Sequence, residues 1–93
     1  MSENEEYRLY LKARGSLILR NHLTGKTLWS SKTSGKGGTY LILQDDGNLV
    51  LYPDSGKAVW KSGTSGSGAT QLILRNTGKL ELYQDEKVIW TAN

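Results

Sequence analysis

The sequence predicts an all-β fold of three antiparallel sheets around a pseudo-threefold axis, and three observations indicate it. The chain repeats itself with a period of about 31 residues, as repeat architectures do. Short stretches of alternating apolar residues are separated by Gly, Ser and Asp-Gly, which is typical of strands joined by turns. No stretch carries apolar residues at helical spacing. Three amphipathic sheets of this kind can close around one shared core.

Each repeat is predicted to contain a hairpin and a third strand that ends in tryptophan. The repeats span about residues 7–38, 39–69 and 70–93 of one domain, and we expect the acidic segment 1–6 to be a disordered or frayed tail. The third strands are expected at residues 27–29, 57–60 and 87–90, ending in Trp29, Trp60 and Trp90. Because tryptophan recurs at the same strand end, we expect these three side chains in the core.

The loop of each hairpin is predicted to have three residues, the last of which is glycine. In the middle repeat the loop is 45–47, so that Gln44 faces Asn48. Glycine suits this position because its backbone adopts the left-handed region without strain. A two-residue loop would instead turn Gln44 to the leucine face. Side chains alternate across a strand, so one face of each hairpin is all leucine: Leu9, Leu11, Leu17, Leu19, Leu41, Leu43, Leu49, Leu51, Leu72, Leu74, Leu80 and Leu82.

Composition indicates a small domain with a thin core. The chain has 93 residues, 37% of them hydrophobic, with no Phe and no Cys, so no disulfide can stabilise it. We therefore expect very regular packing or oligomerisation, with a homodimer as the preferred state. The acidic start is followed by no apolar run, which predicts cytoplasmic synthesis, with extracellular action after release by a route without a signal peptide left open. We expect no membrane span and no cofactor.

The middle hairpin carries an ordered set of side chains at alternate positions, Gln44-x-Asp46-x-Asn48-x-Val50-x-Tyr52. This set matches the QxDxNxVxY signature of the bulb-type, or monocot mannose-binding, lectins, which the chain resembles from about residue 7 to its end. The resemblance implies the β-prism II fold and non-catalytic recognition of α-mannose or mannose-rich glycans. It also implies that the four polar side chains hydrogen-bond sugar hydroxyls and that Val50 packs on the ring carbons.

The outer repeats depart from this signature, so we expect only the middle repeat to bind mannose. The corresponding positions of the first repeat are Lys12, Arg14, Ser16, Ile18 and Arg20. Those of the third repeat are Arg75, Thr77, Lys79, Glu81 and Tyr83. These basic faces could bind anionic glycans, phosphate or lipid, or could be solvated or form salt bridges between subunits. The alternative function is a vestigial lectin scaffold that acts as an interaction or toxin-like module through its basic faces.

Other function classes fit the sequence less well. Catalysis is not expected, because there is no cysteine nucleophile and no histidine near a candidate serine. Asp45 and Asp46 are adjacent and do not form a separated carboxylate pair. His22 is the only histidine, so no metal site is predicted. Exposed aromatic residues are not interleaved with the basic ones, which argues against nucleic-acid binding. Family members usually have a further strand before the first motif, and an open sheet edge favours strand exchange or dimer pairing.

Overall fold

The computed structural model describes residues 2–92 and contains three antiparallel sheets, each of three strands in chain order. The first sheet comprises β1 (Tyr7–Leu11), β2 (Leu17–Asn21) and β3 (Thr27–Ser30). The second comprises β4 (Gly38–Leu43), β5 (Leu49–Pro53) and β6 (Trp60–Lys61). The third comprises β7 (Gln71–Leu74), β8 (Leu80–Gln84) and β9 (Lys87–Ala92). The predicted fold class is confirmed, with no helix among the described residues. Met1 and Asn93, at the ends of the predicted tail and third repeat, lie outside them.

The leucine face of each hairpin forms the core, as alternation predicts. Leu19, Leu51 and Leu82 occupy the same position in β2, β5 and β8, and each is 0% exposed. Leu11 differs from the prediction that all twelve leucines point inward, because it is 38% exposed. Leu43 and Leu74, which end β4 and β7 at the same position, are partly buried and pack against the core, so the first repeat departs from the other two here.

The three tryptophans, one from each sheet, pack against one another. Their ring centroids are 5.4 Å (Trp29–Trp60), 5.8 Å (Trp29–Trp90) and 5.7 Å (Trp60–Trp90) apart, with interplanar angles of 72°, 80° and 61°. Edge-to-face contact of this kind is favoured by the quadrupole of the aromatic ring. The rings also pack against the buried leucines. Their predicted place in the core is therefore confirmed, although each tryptophan is half-buried rather than fully enclosed.

The sequence predicts that the third strand of each repeat ends at its tryptophan, and this prediction is wrong in all three repeats. β3 and β9 continue beyond the tryptophan, and β6 begins at Trp60. In the second sheet the preceding residues 57–59 are not in a strand; the Val59 amide donates a single hydrogen bond to the Leu51 carbonyl. The limits of this strand depend on which residues pair across the sheet, and the recurrence of tryptophan does not reveal them.

The segment before β1 is expected from the sequence to be a disordered or frayed tail, but in the structure residues 2–6 are hydrogen-bonded. The Ser2 amide donates to the Tyr7 carbonyl at 2.8 Å, and the His22 amide donates to the Glu6 carbonyl at 2.6 Å. The Asn4 amide donates to Asn76 Oδ1 at 2.9 Å, which links this segment to the hairpin loop of the third sheet. Residues 2–6 thus form a turn that joins the first and third sheets, because their polar groups find partners on both.

Candidate functional site

The site begins with the turn between β4 and β5. The Gly47 amide donates to the Gln44 carbonyl, and the Gln44 amide donates to the Asn48 carbonyl, both at 2.9 Å. The strands pair with Leu43 opposite Leu49. This register confirms the three-residue loop and places residues 44, 48, 50 and 52 on the face opposite the leucines. Gly47 has φ 87°, in the left-handed region that glycine adopts at little cost.

The Gly-rich connector after β6 folds back onto this turn. The Gly66 amide donates to the Asp46 carbonyl at 2.7 Å, and the Thr64 hydroxyl donates to the Gly47 carbonyl at 2.7 Å. A Cβ atom on Gly47 would lie only 2.5 Å from the Ala69 amide nitrogen and 2.6 Å from that of Gly68. The turn needs glycine for this close approach as well as for its backbone conformation, and hydrogen bonds join the connector to the turn.

Gln44 and Tyr52 form one end of the site. Gln44 Nε2 donates to the Tyr52 hydroxyl at 2.5 Å, and the Tyr52 ring stacks on Tyr40 with centroids 5.6 Å apart and an interplanar angle of 22°. Since the Tyr52 oxygen accepts this bond, its own proton remains available to a ligand. The Gln44 carbonyl oxygen remains available as an acceptor. Both side chains are therefore oriented before any ligand arrives.

Asp46 is an exposed carboxylate that the fold keeps ionised. Its Oδ2 accepts a hydrogen bond from the Ser65 hydroxyl at 2.6 Å, and its Oδ1 accepts one from the Asn48 amide at 2.9 Å. The Ser65 bond, followed by the Asn48 bond, lowers the pKa of Asp46 below its ordinary value. Each carboxylate oxygen can accept a second hydrogen bond, so Asp46 can still bind hydroxyl groups of a ligand.

Asn48 is oriented by the connector and is only 7% exposed. Its Oδ1 accepts hydrogen bonds from the Ser62 hydroxyl and the Thr64 amide, both at 3.2 Å. Because the Thr64 amide can only donate, this contact assigns the oxygen of the Asn48 side chain to the inner side. The side-chain NH2 group of Asn48 is then the part that can donate to a ligand.

Val50 lies between Asn48 and Tyr52 on the same face but is only 2% exposed. The predicted role, packing on a sugar ring, requires exposed apolar surface. Val50 is therefore the floor of the site and offers little surface to a ligand, and its contact with a sugar ring stays a prediction.

The site is oriented by three connector residues that were not predicted from the sequence, Ser62, Thr64 and Ser65. A signal was present, since the pattern Ser-x-Thr-Ser occurs at 62–65 and again at 31–34. The first repeat uses it in the same way, for Thr33 Oγ1 donates to the Gly15 carbonyl at 2.8 Å. Hydroxyl residues in a Gly-rich connector resemble any polar loop until their partners are known.

Sequence comparison finds relatives among lectins, and no family profile matches the chain. A mannose-specific lectin from Remusatia vivipara is 51% identical over 45 residues, which are 47% of this chain and 17% of that protein. A G-type lectin S-receptor-like serine/threonine-protein kinase from Arabidopsis thaliana is 41% identical over 54 residues, 58% of this chain and 7% of that protein. The chain thus spans a small part of the length of these relatives.

Solved structures match over most of both chains. A monomeric monocot mannose-binding lectin from Gastrodia elata has a TM-score of 0.84 and 29% identity, covering 100% of this chain and 84% of its own. The snowdrop (Galanthus nivalis) agglutinin has a TM-score of 0.77 and 27% identity, covering 88% of this chain and 75% of its own. A lectin from Allium sativum has a TM-score of 0.73 and 31% identity, covering 86% of this chain and 77% of its own. The chain belongs to the bulb-type lectin family. Its three sheets are those of the β-prism II fold.

Membership in the bulb-type lectins confirms two expectations from the sequence. The domain has the fold of a carbohydrate-binding lectin, and this family is non-catalytic, so the domain is not an enzyme. Residues 2–92 hold no group of three or more His, Cys, Asp and Glu side chains suited to a metal ion. No helix within the same range is long and apolar enough to span a membrane.

The first sheet of this lectin has an open, basic version of the site. Its outer face borders a cavity of about 450 Å³, which is lined by Lys12, Arg14, Ser16, Ile18, Ser30 and Lys32. Arg20, at the position of Tyr52, stacks over the Tyr10 ring with its Cζ atom 5.5 Å from the centroid. The Tyr10 hydroxyl in turn lies 3.3 Å from His22 Nδ1. The predicted residues are thus together on one face, but Arg20 lies beside the cavity and not in its lining.

The third sheet of this lectin has a closed version of the site. Arg75 Nε lies 3.0 Å from Glu81 Oε1, and Arg75 Nη2 donates to the Tyr83 hydroxyl at 2.9 Å. The Tyr83 hydroxyl donates to Glu81 Oε1 at 2.8 Å, which lowers the pKa of Glu81 and raises that of Tyr83. The three side chains stand at the positions of Gln44, Val50 and Tyr52, and each is hydrogen-bonded to the other two. Thr77 and Lys79 are exposed and lie outside this network.

Proposed function

We propose that this domain binds α-mannose and mannose-rich glycans through a single site on the middle sheet. The site consists of Gln44, Asp46, Asn48, Val50 and Tyr52. The observation that carries the proposal is that the four polar members are fixed by hydrogen bonds to one another and to the connector, with donors and acceptors left over. It is further supported by the Remusatia relative, which is mannose-specific, and by the snowdrop agglutinin, whose structure contains methyl-α-D-mannoside.

The chemistry of the site suits a sugar with closely spaced hydroxyl groups. Asp46 accepts hydrogen bonds from two hydroxyls, Asn48 donates through its NH2 group, and Tyr52 donates to a third oxygen. Asp46 contributes most, because hydrogen bonds to a charged group are stronger than those between neutral groups. An epimer with a misplaced hydroxyl leaves some of these groups without a partner, which disfavours its binding. The axial 2-hydroxyl of mannose is therefore the expected basis of selectivity.

One site of this kind gives weak binding by itself. A single monosaccharide site typically has an affinity of about 1 mM, or about −4 kcal/mol. Useful affinity for a branched glycan requires two or more sites in one assembly, where the second contact becomes intramolecular. Because only the middle sheet carries the full polar set, we propose that a homodimer supplies the second site.

An amide NMR titration with methyl α-mannoside tests the site directly, since it detects and locates millimolar binding. We expect shifts confined to residues 44–52 and 62–66, little changed by salt because the sugar is neutral. Asp46→Asn keeps the shape of the side chain and removes its charge. It should weaken binding by about tenfold or more, whereas Thr77→Ala at the same loop position of the third sheet should not change it.

Two results would contradict the proposal. If Asp46→Asn binds methyl α-mannoside as the unchanged protein does, these residues are not the site. If tens of millimolar sugar cause no shifts anywhere, the domain does not bind mannose at all. The second result would favour the vestigial scaffold that the basic faces of the sequence suggest.

A further inference from the structure

The cavity on the first sheet has the features of a second ligand site with different chemistry. We propose that it binds a saccharide that carries a sulfate or phosphate monoester. The cavity lies at the same place on its hairpin as the mannose site does on the middle one, with Arg14 at the position of Asp46. Its volume of about 450 Å³ falls within the range of about 300–1,000 Å³ that is usual for small-molecule sites. This proposal does not depend on mannose binding by the middle sheet.

The charge of the cavity is positive and unopposed. Lys12, Arg14 and Lys32 line it, and no Asp or Glu does. Arg75–Glu81 is the one ion pair found in residues 2–92, so these three cations have no carboxylate partner there. Arginine can bind two oxygens of a tetrahedral anion at once, and lysine adds positive charge beside it. The contrast with the third sheet, where Glu81 neutralises Arg75, indicates that the first site is available to an anion.

The backbone that carries these cations is held in place. The Gly35 amide donates to the Arg14 carbonyl at 2.7 Å, and the Lys32 amide donates to the Ser30 hydroxyl at 3.0 Å. The connector after β3 therefore fixes the loop of the first hairpin in the same way that the later connector fixes Gly47. A charged side chain on a fixed backbone loses less conformational entropy on binding than one on a mobile loop.

The rest of the lining favours a sugar over a free anion. The hydroxyls of Ser16 and Ser30 lie 3.0 Å apart at the cavity and can exchange hydrogen bonds with sugar hydroxyls. Ile18, at the position of Val50, is only partly buried and offers apolar surface to the carbons of a sugar ring. Cations for the ester, hydroxyls for the ring oxygens and an apolar floor together match a sulfated or phosphorylated saccharide.

NMR titrations of the full chain can test this site with defined probes. The probes are galactose 6-sulfate, galactose 6-phosphate, galactose, inorganic sulfate and inorganic phosphate. Galactose lacks the axial 2-hydroxyl proposed for the middle site, which separates the two sites. We expect either ester to shift residues 12–18 and 30–34 but not 44–52, and to bind about tenfold more tightly than galactose or the inorganic anions. Raising the salt concentration should weaken this binding.

Matched variants separate this site from general charge attraction. Arg14→Gln should weaken binding of the tighter ester by about tenfold, and Arg14→Lys should weaken it less, because lysine keeps the charge but not the two-point contact. Lys79→Gln removes the same charge from the third sheet and should leave the affinity unchanged. Both side chains are exposed, so the amide spectra of the free variants should show that the fold is retained.

Four results would overturn the proposal. One is that neither ester shifts residues 12–18, which would mean that the cations are only solvated. Another is that inorganic sulfate or phosphate binds as tightly as its ester, which would mean that the site recognises an anion only. A third is that galactose binds as tightly as the esters. The last is that Lys79→Gln weakens binding as much as Arg14→Gln, which would mean that net charge alone attracts the probe.

Discussion

The Thr64 hydroxyl donates a 2.7 Å hydrogen bond to the Gly47 carbonyl, a residue 17 positions earlier in the chain. Both residues are buried. The same bond recurs in the first repeat between Thr33 and Gly15 at 2.8 Å. In each case the connector that leaves a sheet holds the hairpin loop of that sheet. In the middle repeat the amide of the same threonine also donates to Asn48 Oδ1, so one residue supports both the turn and the face proposed to bind sugar.

Replacing Thr64 should affect stability and mannose binding together. Thr64→Val has nearly the same shape but leaves the buried Gly47 carbonyl without this donor, which should cost about 1–3 kcal/mol. The lost bond also ties the connector to the turn, so the Thr64 amide that donates to Asn48 Oδ1 should be less well placed and Asn48 less well oriented. Denaturant unfolding measures the first effect and titration with methyl α-mannoside the second. Thr33→Val should cause a similar loss of stability without weakening mannose binding. Equal weakening by both variants would refute the local role of Thr64.

Gly47→Ala should be much more destabilising than Gly56→Ala. Both glycines have positive φ, 87° and 102°, so each alanine meets backbone strain of about 1–2 kcal/mol. Only at Gly47 would the added Cβ also contact the connector, 2.5 Å from the Ala69 amide nitrogen, whereas nothing lies within 4 Å at Gly56. Overpacking of this kind adds about 1–3 kcal/mol. Chemical denaturation of the two variants gives the comparison, and equal losses of stability would mean that the connector does not press on the turn.

Glu81 should make stability depend on pH in acid. The Tyr83 hydroxyl and Arg75 hold the pKa of Glu81 below its usual value of 4.5. Because the folded pKa is lowered, the stabilisation is fully present above the unfolded pKa and is lost as the pH falls through the folded value. Glu81→Gln removes it, so the variant should be less stable than the unchanged protein at neutral pH. The difference in Tm should shrink below about pH 4.

Exposed Glu86, in the loop between β8 and β9, provides the control for this pH experiment. Glu86→Gln should change Tm little, and by the same amount at every pH where the fold is stable. If the Tm difference caused by Glu81→Gln does not vary with pH, Glu81 is not held ionised by its neighbours.

Much of the fold was predictable because it depends on local periodicity. Leucine at every second position defines the inner face of each hairpin, and a glycine after two loop residues sets the register. These signals involve neighbours within about ten residues, and their repetition reveals the three sheets. The polar set from Gln44 to Tyr52 was identified for the same reason, since its members lie on one hairpin and share one parity.

The contacts of the connector were not predictable in this way, and neither was whether each copy of the site is open or closed. Ser62 and Thr64 orient Asn48 only because the chain after β6 returns to the turn. The sequence placed Arg75, Glu81 and Tyr83 on one face, but their mutual hydrogen bonds depend on distances across the strands. The turn formed by residues 2–6 likewise depends on Asn76, more than 70 positions away along the chain.

The sequence by itself determined the three-sheet fold, the three-residue loops and the side chains available at each site position. Only the tertiary structure decided that Val50 is covered, that the third site is closed by Arg75 and Glu81, and that the cations of the first site have no carboxylate beside them. The reason is physical. Alternation along a strand fixes the direction of a side chain, whereas its exposure and its partners depend on segments that approach from elsewhere in the chain.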